Sequence, residues 1–254
     1  MTTLFEPKKK TIVLVHGFMG SSDDWDSIIK LFEPISSCYT VDLPFHGKEQ
    51  ECQVSDFKEL TIFLQSKLKN VPKPFTLIGY SLGGRVATHY ALANPNDIQS
   101  LILESTNLGL STLSKKNSRL KNDEVLAKEL VYDYRFFLDH WYKKPLWGNI
   151  ITNSNYSQLI DKKLEQSPQT LAKALITFSL GKQDYLLPPL IKSKIPTLLI
   201  TGNEDKKYCT LASSYITKGR NLSHTIINGG HNTHFSYPNK FAEVCIKFFK
   251  EKKK

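Results

Sequence analysis

The sequence predicts an α/β fold: a mostly parallel sheet with helices on both faces and a helical cap insertion. Two observations support this prediction. Short apolar, β-branched segments alternate along the chain with longer segments whose apolar residues recur at helical spacing. The alternation stops in one long interval, where helical patterns rich in aromatic residues follow one another and strand signals vanish.

Six segments have the composition of buried strands, with β-branched and large apolar residues and few charges. They are residues 11–16, 38–42, 75–79, 100–104, 196–201 and 223–228. Apolar residues at helical spacing predict helices between and after these strands, over residues 25–32, 56–68, 82–93 and 239–250. Because strand and helix alternate, we expect the sheet to be mostly parallel.

The interval without strand signals, residues 111–193, is the predicted cap. It follows the strand that ends at Glu104 and stops where Pro196 re-enters the sheet. The cap should therefore cover the carboxyl ends of the strands, where open α/β sheets bind ligands. The predicted organisation is a core made of residues 1–110 and 194–254, with the cap inserted between them.

Composition is that of an ordinary globular chain, with 254 residues, of which 40% are hydrophobic and 23% charged. The net charge of +10 comes from scattered lysines, including runs at 8–10 and 252–254, and the absence of a basic stripe or recognition motif argues against nucleic-acid binding. A local positive field could instead attract an anionic small molecule.

Cellular location is predicted from what the sequence does not contain. Its four cysteines have no C-x-x-C spacing, no segment approaches the length of an apolar membrane span, and residues 1–10 lack the apolar stretch of a signal peptide. We therefore expect a cytoplasmic protein with no membrane insertion, and leave open a monomer or a small homo-oligomer.

The strongest local signal is GYSLG at positions 79–83, which joins a predicted strand to a predicted helix. At such a turn the glycines relieve crowding, and the hydroxyl of Ser81 stands exposed at a helix N-terminus. Ser81 is therefore the predicted nucleophile or base. The alternative is a Gly-Ser turn without chemistry, and the flanking strand and helix argue against it.

A serine hydroxyl needs a histidine to accept its proton. His231 follows the last predicted strand within an Asn-Gly-Gly-His run, and His234 is the competing candidate. The acid is expected directly after the preceding strand, where Asp205 is preferred and its neighbour Glu204 stays open. The predicted triad is thus Ser81, Asp205 and His231.

Two backbone N–H groups should stabilise negative charge that develops on the substrate. One belongs to Leu82, directly after the serine, and the other to Phe18, which follows the first strand. Gly17 lets the backbone approach closely there. We expect His16 to be a buried histidine that orients this loop rather than a catalytic group.

Several segments together resemble the α/β-hydrolase superfamily: VHGFMGS at 15–21, DLPFHG at 42–47, GYSLGGR at 79–85 and LES at 103–105. Others resemble one family within it, the 2-succinyl-6-hydroxy-2,4-cyclohexadiene-1-carboxylate synthases of menaquinone biosynthesis. These are Arg85 and the segments SRLKNDE at 118–124, FLDHWYKKP at 137–145 and LEQSP at 164–168. The similarity runs nearly from end to end, and Arg85 with the cap segments is its discriminating part.

The resemblance implies a lyase. In that family the triad removes a proton from 2-succinyl-5-enolpyruvyl-6-hydroxy-3-cyclohexene-1-carboxylate, and the resulting anion expels pyruvate without a metal or an organic cofactor. Because this substrate carries several carboxylates, Arg85 and Arg119 are implied to bind carboxylate groups. Tyr80 and Trp141 are implied to form a polar aromatic wall.

The sequence departs from the family pattern at three positions. Lys163 stands where the family usually has an arginine, so this predicted substrate-binding residue keeps the charge and loses the planar fork. Phe45 replaces a usual glycine, and Leu108 stands where a proline is often found. These changes bear on substrate fit rather than on the fold or the triad.

Two other function classes compete with the lyase. A serine carboxylesterase would use the same triad to form an acyl-enzyme, but an ester of a neutral acid has no use for paired cationic residues. A non-catalytic receptor on this fold would have no reason to retain the serine, the strand-end acid and the glycine-flanked histidine together.

Overall fold

The computed structural model describes residues 9–251, so what was predicted for residues 1–8 and for the lysine run at 252–254 lies outside the described residues. A six-stranded sheet forms the centre, and all of its neighbouring strands pair in parallel. The strands are β1 (Lys10–Val15), β2 (Ser36–Val41), β3 (Phe75–Tyr80), β4 (Ile98–Glu104), β5 (Thr197–Gly202) and β6 (Leu222–Ile227), in the spatial order β2-β1-β3-β4-β5-β6. The predicted fold class is confirmed, and every predicted strand is present.

Eleven α-helices surround or cap this sheet within residues 9–251. They are α1 (Asp26–Phe32), α2 (Phe57–Lys67), α3 (Leu82–Ala93), α4 (Leu113–Tyr132), α5 (Tyr134–Trp141), α6 (Tyr156–Leu164), α7 (Pro168–Thr177), α8 (Leu187–Ser193), α9 (Lys206–Ile216), α10 (Thr233–Ser236) and α11 (Pro238–Glu251).

The alternating side chains of each strand feed two separate apolar clusters. On β1, Val13 and Val15 pack with α2, α3, α8 and α9, whereas Ile12 and Leu14 pack with α1 and α11. This two-sided burial is why the four inner strands β1, β3, β4 and β5 are largely apolar, a composition typical of parallel sheets.

Helix α9 is not predicted from the sequence. Its buried side chains are only Ala212 and Tyr215, and its exposed face carries lysine, serine and threonine. Asp205 directly precedes the helix as its N-cap residue, and its carboxylate accepts a hydrogen bond from the Tyr208 backbone N–H. A helix that is stabilised by its N-cap residue and by two buried side chains leaves little apolar periodicity to detect in the sequence.

The predicted cap interval holds α4 to α8. Helices α4 to α7 share an apolar cluster of their own, which includes Leu130, Phe137 and Leu171 and is joined by Met19 from the loop after β1. Leu190 of α8 packs instead into the cluster beneath the sheet. We propose that 111–193 is the cap, with α8 as the segment that returns the chain to the core.

Within residues 9–251, none of the helices combines the length and apolar character that a membrane span requires.

Candidate active site

Ser81 lies at the sharp turn between β3 and α3, with φ 50° and ψ −107°. A non-glycine residue adopts this region at a cost, so the surroundings must hold it there. Its backbone N–H donates to the Glu104 carbonyl oxygen at 2.9 Å. Gly83 lets α3 start directly against β1, because a Cβ at this position would lie 2.2 Å from the Val15 carbonyl oxygen.

The serine, the histidine and the aspartate form one continuous hydrogen-bonded chain. Ser81 Oγ lies 3.1 Å from His231 Nε2, and His231 Nδ1 lies 2.6 Å from Asp205 Oδ2. Asp205 is fully buried at the end of β5, and its second oxygen accepts the Tyr208 backbone N–H. With Nδ1–H donated to the carboxylate, Nε2 is left free to accept the serine proton.

The alternatives that the sequence left open occupy other positions. Glu204 accepts the backbone N–H of Asn149, in the cap, at 2.8 Å. The His234 ring lies 2.6 Å from the Glu104 carboxylate. Among the described contacts, neither Glu204 nor His234 bonds to Ser81 or His231.

The backbone N–H groups of Phe18 and Leu82 donate to no protein acceptor within residues 9–251, and both residues line the cavity that holds Ser81. The loop before Phe18 is fixed by His16, which is fully buried. Its Nδ1–H donates to the Gly17 carbonyl at 2.8 Å, and its Nε2 accepts from the Leu43 backbone at 2.9 Å. Burial lowers the pKa of His16, which keeps the ring neutral for this arrangement.

A cavity of about 230 Å³ lies between the strand ends and the cap, with Ser81 and His231 on its wall. Its wall carries cationic residues and, among the described residues, no carboxylate; the cationic residues are Arg85, Arg119, Lys144 and Lys207. Aromatic side chains supply much of the remaining surface, namely Phe18, Tyr80, Trp141, Trp147, Phe178 and Tyr208. Such a wall suits an anion with a flat apolar body.

Arg85 reaches this cavity from α3 and is held by two hydrogen bonds. Its guanidinium donates to Gln183 Oε1 at 3.1 Å and to the Phe178 carbonyl at 2.7 Å. Burial, with Arg119 as a further cause, lowers the pKa of Arg85 to about 9, so the group stays charged at neutral pH. Two neutral acceptors orient the arginine without neutralising it.

Arg119 lies on α4 with one edge anchored. Its Nε donates to both oxygens of Asp123, at 2.7 and 2.9 Å, and this buried carboxylate also accepts the Ser179 hydroxyl. The terminal guanidinium nitrogens of Arg119 bond to no group within residues 9–251. They are the donors that a substrate carboxylate would use.

The structure argues against the predicted role of Lys163 in substrate binding. Its Nζ lies 2.9 and 3.0 Å from the two oxygens of Asp24, and the side chains are 5% and 11% exposed. Lys163 is not on the cavity wall. A lysine this deeply buried is stable only beside its counter-charge, so the pair ties α6 to the turn after β1.

Several wall residues were missed by sequence reasoning. Tyr208 and Trp147 meet the His231 ring edge-on, with ring centroids 4.5 and 5.3 Å away. Tyr208 belongs to the unpredicted helix α9, so no signal pointed to it. Lys144 lies 4.3 Å above the Trp141 ring, and its place within the cap segment at 137–145 was the available clue.

Proteins of known family resemble this chain over most of its length. Residues 10–238 match the family model of the alpha/beta hydrolase fold. A relative in Haemophilus influenzae, to which 2-succinyl-6-hydroxy-2,4-cyclohexadiene-1-carboxylate synthase activity is ascribed, is 32% identical over 244 residues, covering 92% of this chain and 96% of the relative. The synthase of that name from Yersinia pestis is 30% identical over 243 residues, covering 94% and 87%.

Solved structures agree with these relatives. MenH from S. aureus has a TM-score of 0.92 to this chain at 31% sequence identity, with 98% of this chain and 97% of that chain covered. An esterase from Exiguobacterium antarcticum has a TM-score of 0.74 at 17% identity, covering 95% and 92%. The esterase shares the fold alone.

Proposed function

This chain belongs to the alpha/beta hydrolase fold family and, within it, to the 2-succinyl-6-hydroxy-2,4-cyclohexadiene-1-carboxylate synthases, and we propose that it is a pyruvate-eliminating lyase of menaquinone biosynthesis. The substrate is 2-succinyl-5-enolpyruvyl-6-hydroxy-3-cyclohexene-1-carboxylate. The observation that carries the proposal is the cavity wall, where the described residues supply cationic side chains and no carboxylate beside the hydrogen-bonded serine, histidine and aspartate.

The triad acts as the base in this proposal. Ser81 Oγ takes a proton from a ring carbon of the substrate while His231 Nε2 takes the serine proton, which their separation of 3.1 Å permits. The electron pair of the broken C–H bond forms a new ring double bond, the ring double bond already present shifts by one position, and the C–O bond to the enolpyruvyl group breaks. The pyruvate enolate leaves with the electron pair of that C–O bond and takes a proton from the His231 imidazolium, which restores the triad.

Asp205 holds His231 in the tautomer that can accept the serine proton. Its contact with His231 Nδ1 fixes the tautomer whose Nε2 is the acceptor, and its charge stabilises the imidazolium that forms. Full burial of Asp205 strengthens this interaction, because little water competes for the carboxylate.

Negative charge develops on the substrate when the proton leaves, and donors must face it. The N–H groups of Phe18 and Leu82 have no protein acceptor within residues 9–251, and they lie on the cavity wall. Preorganised backbone donors of this kind stabilise such charge without a reorganisation cost. We assign the oxyanion to these two groups.

Arg85 and Arg119 hold the carboxylates, so the reacting carbon is placed by groups that do not react. Each guanidinium can present two parallel donors to one carboxylate. Tyr80 and Trp141 lie on the wall between the cap and the strand ends and would pack against the ring. An esterase acting on a neutral ester would gain nothing from these cations, which is why the hydrolase alternative is not favoured.

Incubation of the full chain with freshly generated substrate tests the proposal. Pyruvate release and diene absorbance are followed for the wild type and for Ser81→Ala, with simple chromogenic esters as a second substrate class. Fast pyruvate release that Ser81→Ala abolishes is the expected result. Serine-dependent ester cleavage without pyruvate release from a folded protein would overturn the lyase in favour of a hydrolase.

A further inference from the structure

A second histidine–carboxylate pair lies beside the triad and has no place in the proton relay. Glu104 ends β4 and His234 belongs to α10, and their side chains are 0% and 1% exposed. His234 Nδ1 lies 2.6 Å from Glu104 Oε2. Burial alone would raise the pKa of Glu104, but His234 and the hydrogen bonds outweigh burial and hold that pKa below its usual value.

Glu104 is bonded to both chain segments that carry the serine and the histidine. Its backbone carbonyl accepts the Ser81 N–H at 2.9 Å. Its carboxylate Oε1 accepts the backbone N–H and the hydroxyl of Thr233, each at 2.6 Å, and the His234 backbone N–H at 3.0 Å. Thr233 lies two residues after His231, so Glu104 joins the nucleophile turn to the histidine loop.

Ring contacts continue the same connection. The His234 ring stacks on Trp25, with centroids 4.2 Å apart, and meets the edge of Tyr80 at 4.9 Å. Tyr80 in turn meets the His231 ring at 5.6 Å. The His234 ring is therefore linked to the His231 ring, which takes the serine proton, through the ring of Tyr80.

Stability alone does not account for such a pair. A buried ion pair adds little net stability over apolar side chains of the same volume, because desolvation of the charges offsets their attraction. Apolar side chains could fill this space, but they could not hold two chain segments at hydrogen-bond distance. Ser81 has a positive φ and needs a fixed anchor, and Glu104 supplies it.

We propose that Glu104 and His234 are positioning residues that set the separation of Ser81 Oγ and His231 Nε2. They touch neither substrate nor reacting atoms and act through the backbone on both sides of the relay. The kinetic part of this inference rests on the proposed lyase function. Supporting groups of this kind commonly contribute about 10- to 100-fold to activity, because small misplacement of reacting atoms is costly.

Glu104→Gln is the first test, since it keeps the shape and removes the charge and one acceptor. We expect kcat for pyruvate release to fall about 10- to 100-fold while KM changes less than about threefold, because the cationic wall is untouched. Ser100→Ala is the matched control on the same strand. It removes a buried hydrogen bond, 2.9 Å to Thr76 Oγ1, that has no contact with the triad, so kcat should stay at the wild-type value.

Thr233→Val is the second variant, because it deletes a single donor to Glu104 and keeps the volume. A smaller fall in kcat, again with KM unchanged, is expected. The rate at which a fluorophosphonate modifies Ser81 gives a readout that needs no substrate, and it should fall in both variants in the order of their kcat values.

Folded Glu104→Gln or Thr233→Val protein with wild-type kcat and wild-type fluorophosphonate rate would overturn the proposal, even if the melting temperature dropped. A rise in KM with unchanged kcat would overturn it as well. The proposed function fails differently: wild-type protein would then react with the fluorophosphonate and release no pyruvate. The positioning test would still be decided by the fluorophosphonate rates of the variants.

Discussion

The strand ends and the cap contribute to the cavity in opposite ways. The strand ends supply Ser81, Asp205 and His231, which are already bonded to one another at 2.6 and 3.1 Å. The cap supplies Arg119 and Trp141, and the terminal nitrogens of Arg119 have no protein partner within residues 9–251. The difference teaches that, in the proposed reaction, the proton-transfer groups lie in the core, whereas Arg119 of the cap, together with Arg85 of the core, would select an anionic substrate.

Replacing Asp205, the acid of the core, should cause the largest loss of activity. Asp205→Asn keeps the shape but lets the His231 ring take the wrong tautomer, and kcat should fall about 10⁴-fold, the effect seen when a triad aspartate is replaced in this way. Steady-state kinetics of pyruvate release measure this. Glu204→Gln is the adjacent control, and a loss of similar size in that variant would show that the acid has been assigned to the wrong residue.

Breaking the ion pair of Lys163 and Asp24, which joins the cap to the core, should have the next largest effect. Lys163→Met leaves Asp24 buried without its counter-charge, and the free energy of unfolding should fall by about 3–5 kcal/mol in urea titrations. Adding Asp24→Asn to it should recover part of this loss. KM should change little, because Lys163 is absent from the cavity wall.

Lys240→Met is the control for that measurement. Lys240 pairs with Glu243 at the surface, where an ion pair contributes about 0–1 kcal/mol. A large rise in KM for Lys163→Met at unchanged stability would return Lys163 to the substrate site.

Lowering the pH should reduce the free energy of unfolding already at pH values above the usual pKa of carboxyl groups. Burial, with His16 as a further cause, lowers the pKa of His46 to about 3. Because the unfolded chain takes up this proton near the usual pKa of about 6.5, stability is lost as pH falls below that value, by about 2 kcal/mol at pH 5. Urea titrations at pH 7 and pH 5 should show a smaller difference for His46→Gln than for the wild type. Equal differences would mean that His46 is not the group responsible.

The smallest effect is expected in the cap. Arg119→Lys keeps the charge and loses the planar fork, so KM should rise about 5- to 30-fold, equivalent to about 1–2 kcal/mol, with kcat little changed. Arg135→Lys, on an exposed arginine of α5, is the control. A fall in kcat rather than a rise in KM would place Arg119 with the core half, as a group that acts in the transition state.

The strands and the strand-end residues were predictable because their signals are local. Buried strands are apolar along several consecutive residues, and Ser81 sits in a five-residue pattern whose spacing reflects one sharp turn. Asp205 and His231 could be selected by their position after strands β5 and β6. The structure then brings the three side chains within hydrogen-bond distance, which no local pattern could establish.

The cap half could not be predicted in the same way. Lys163 had the right charge in the right segment, but its partner Asp24 lies 139 positions earlier, in a turn with no signal for a buried acid. Gln183, which orients Arg85, lies 98 positions after it. Contacts of this kind depend on how the cap packs on the sheet, so residue type alone does not show whether a cation faces a substrate or a buried acid.

The contacts between cap and core also constrain how this enzyme can be rebuilt. The His231 backbone N–H donates to the cap carbonyl of Leu146 at 2.9 Å, and Gln166 of the cap donates to the Met19 carbonyl at 2.8 Å. A chimera that receives a cap from another member of the fold family would lose these two hydrogen bonds unless the loops after β1 and β6 are exchanged together with the cap. Recombination among relatives would therefore preserve the cap together with the loops after β1 and β6, as one inherited unit.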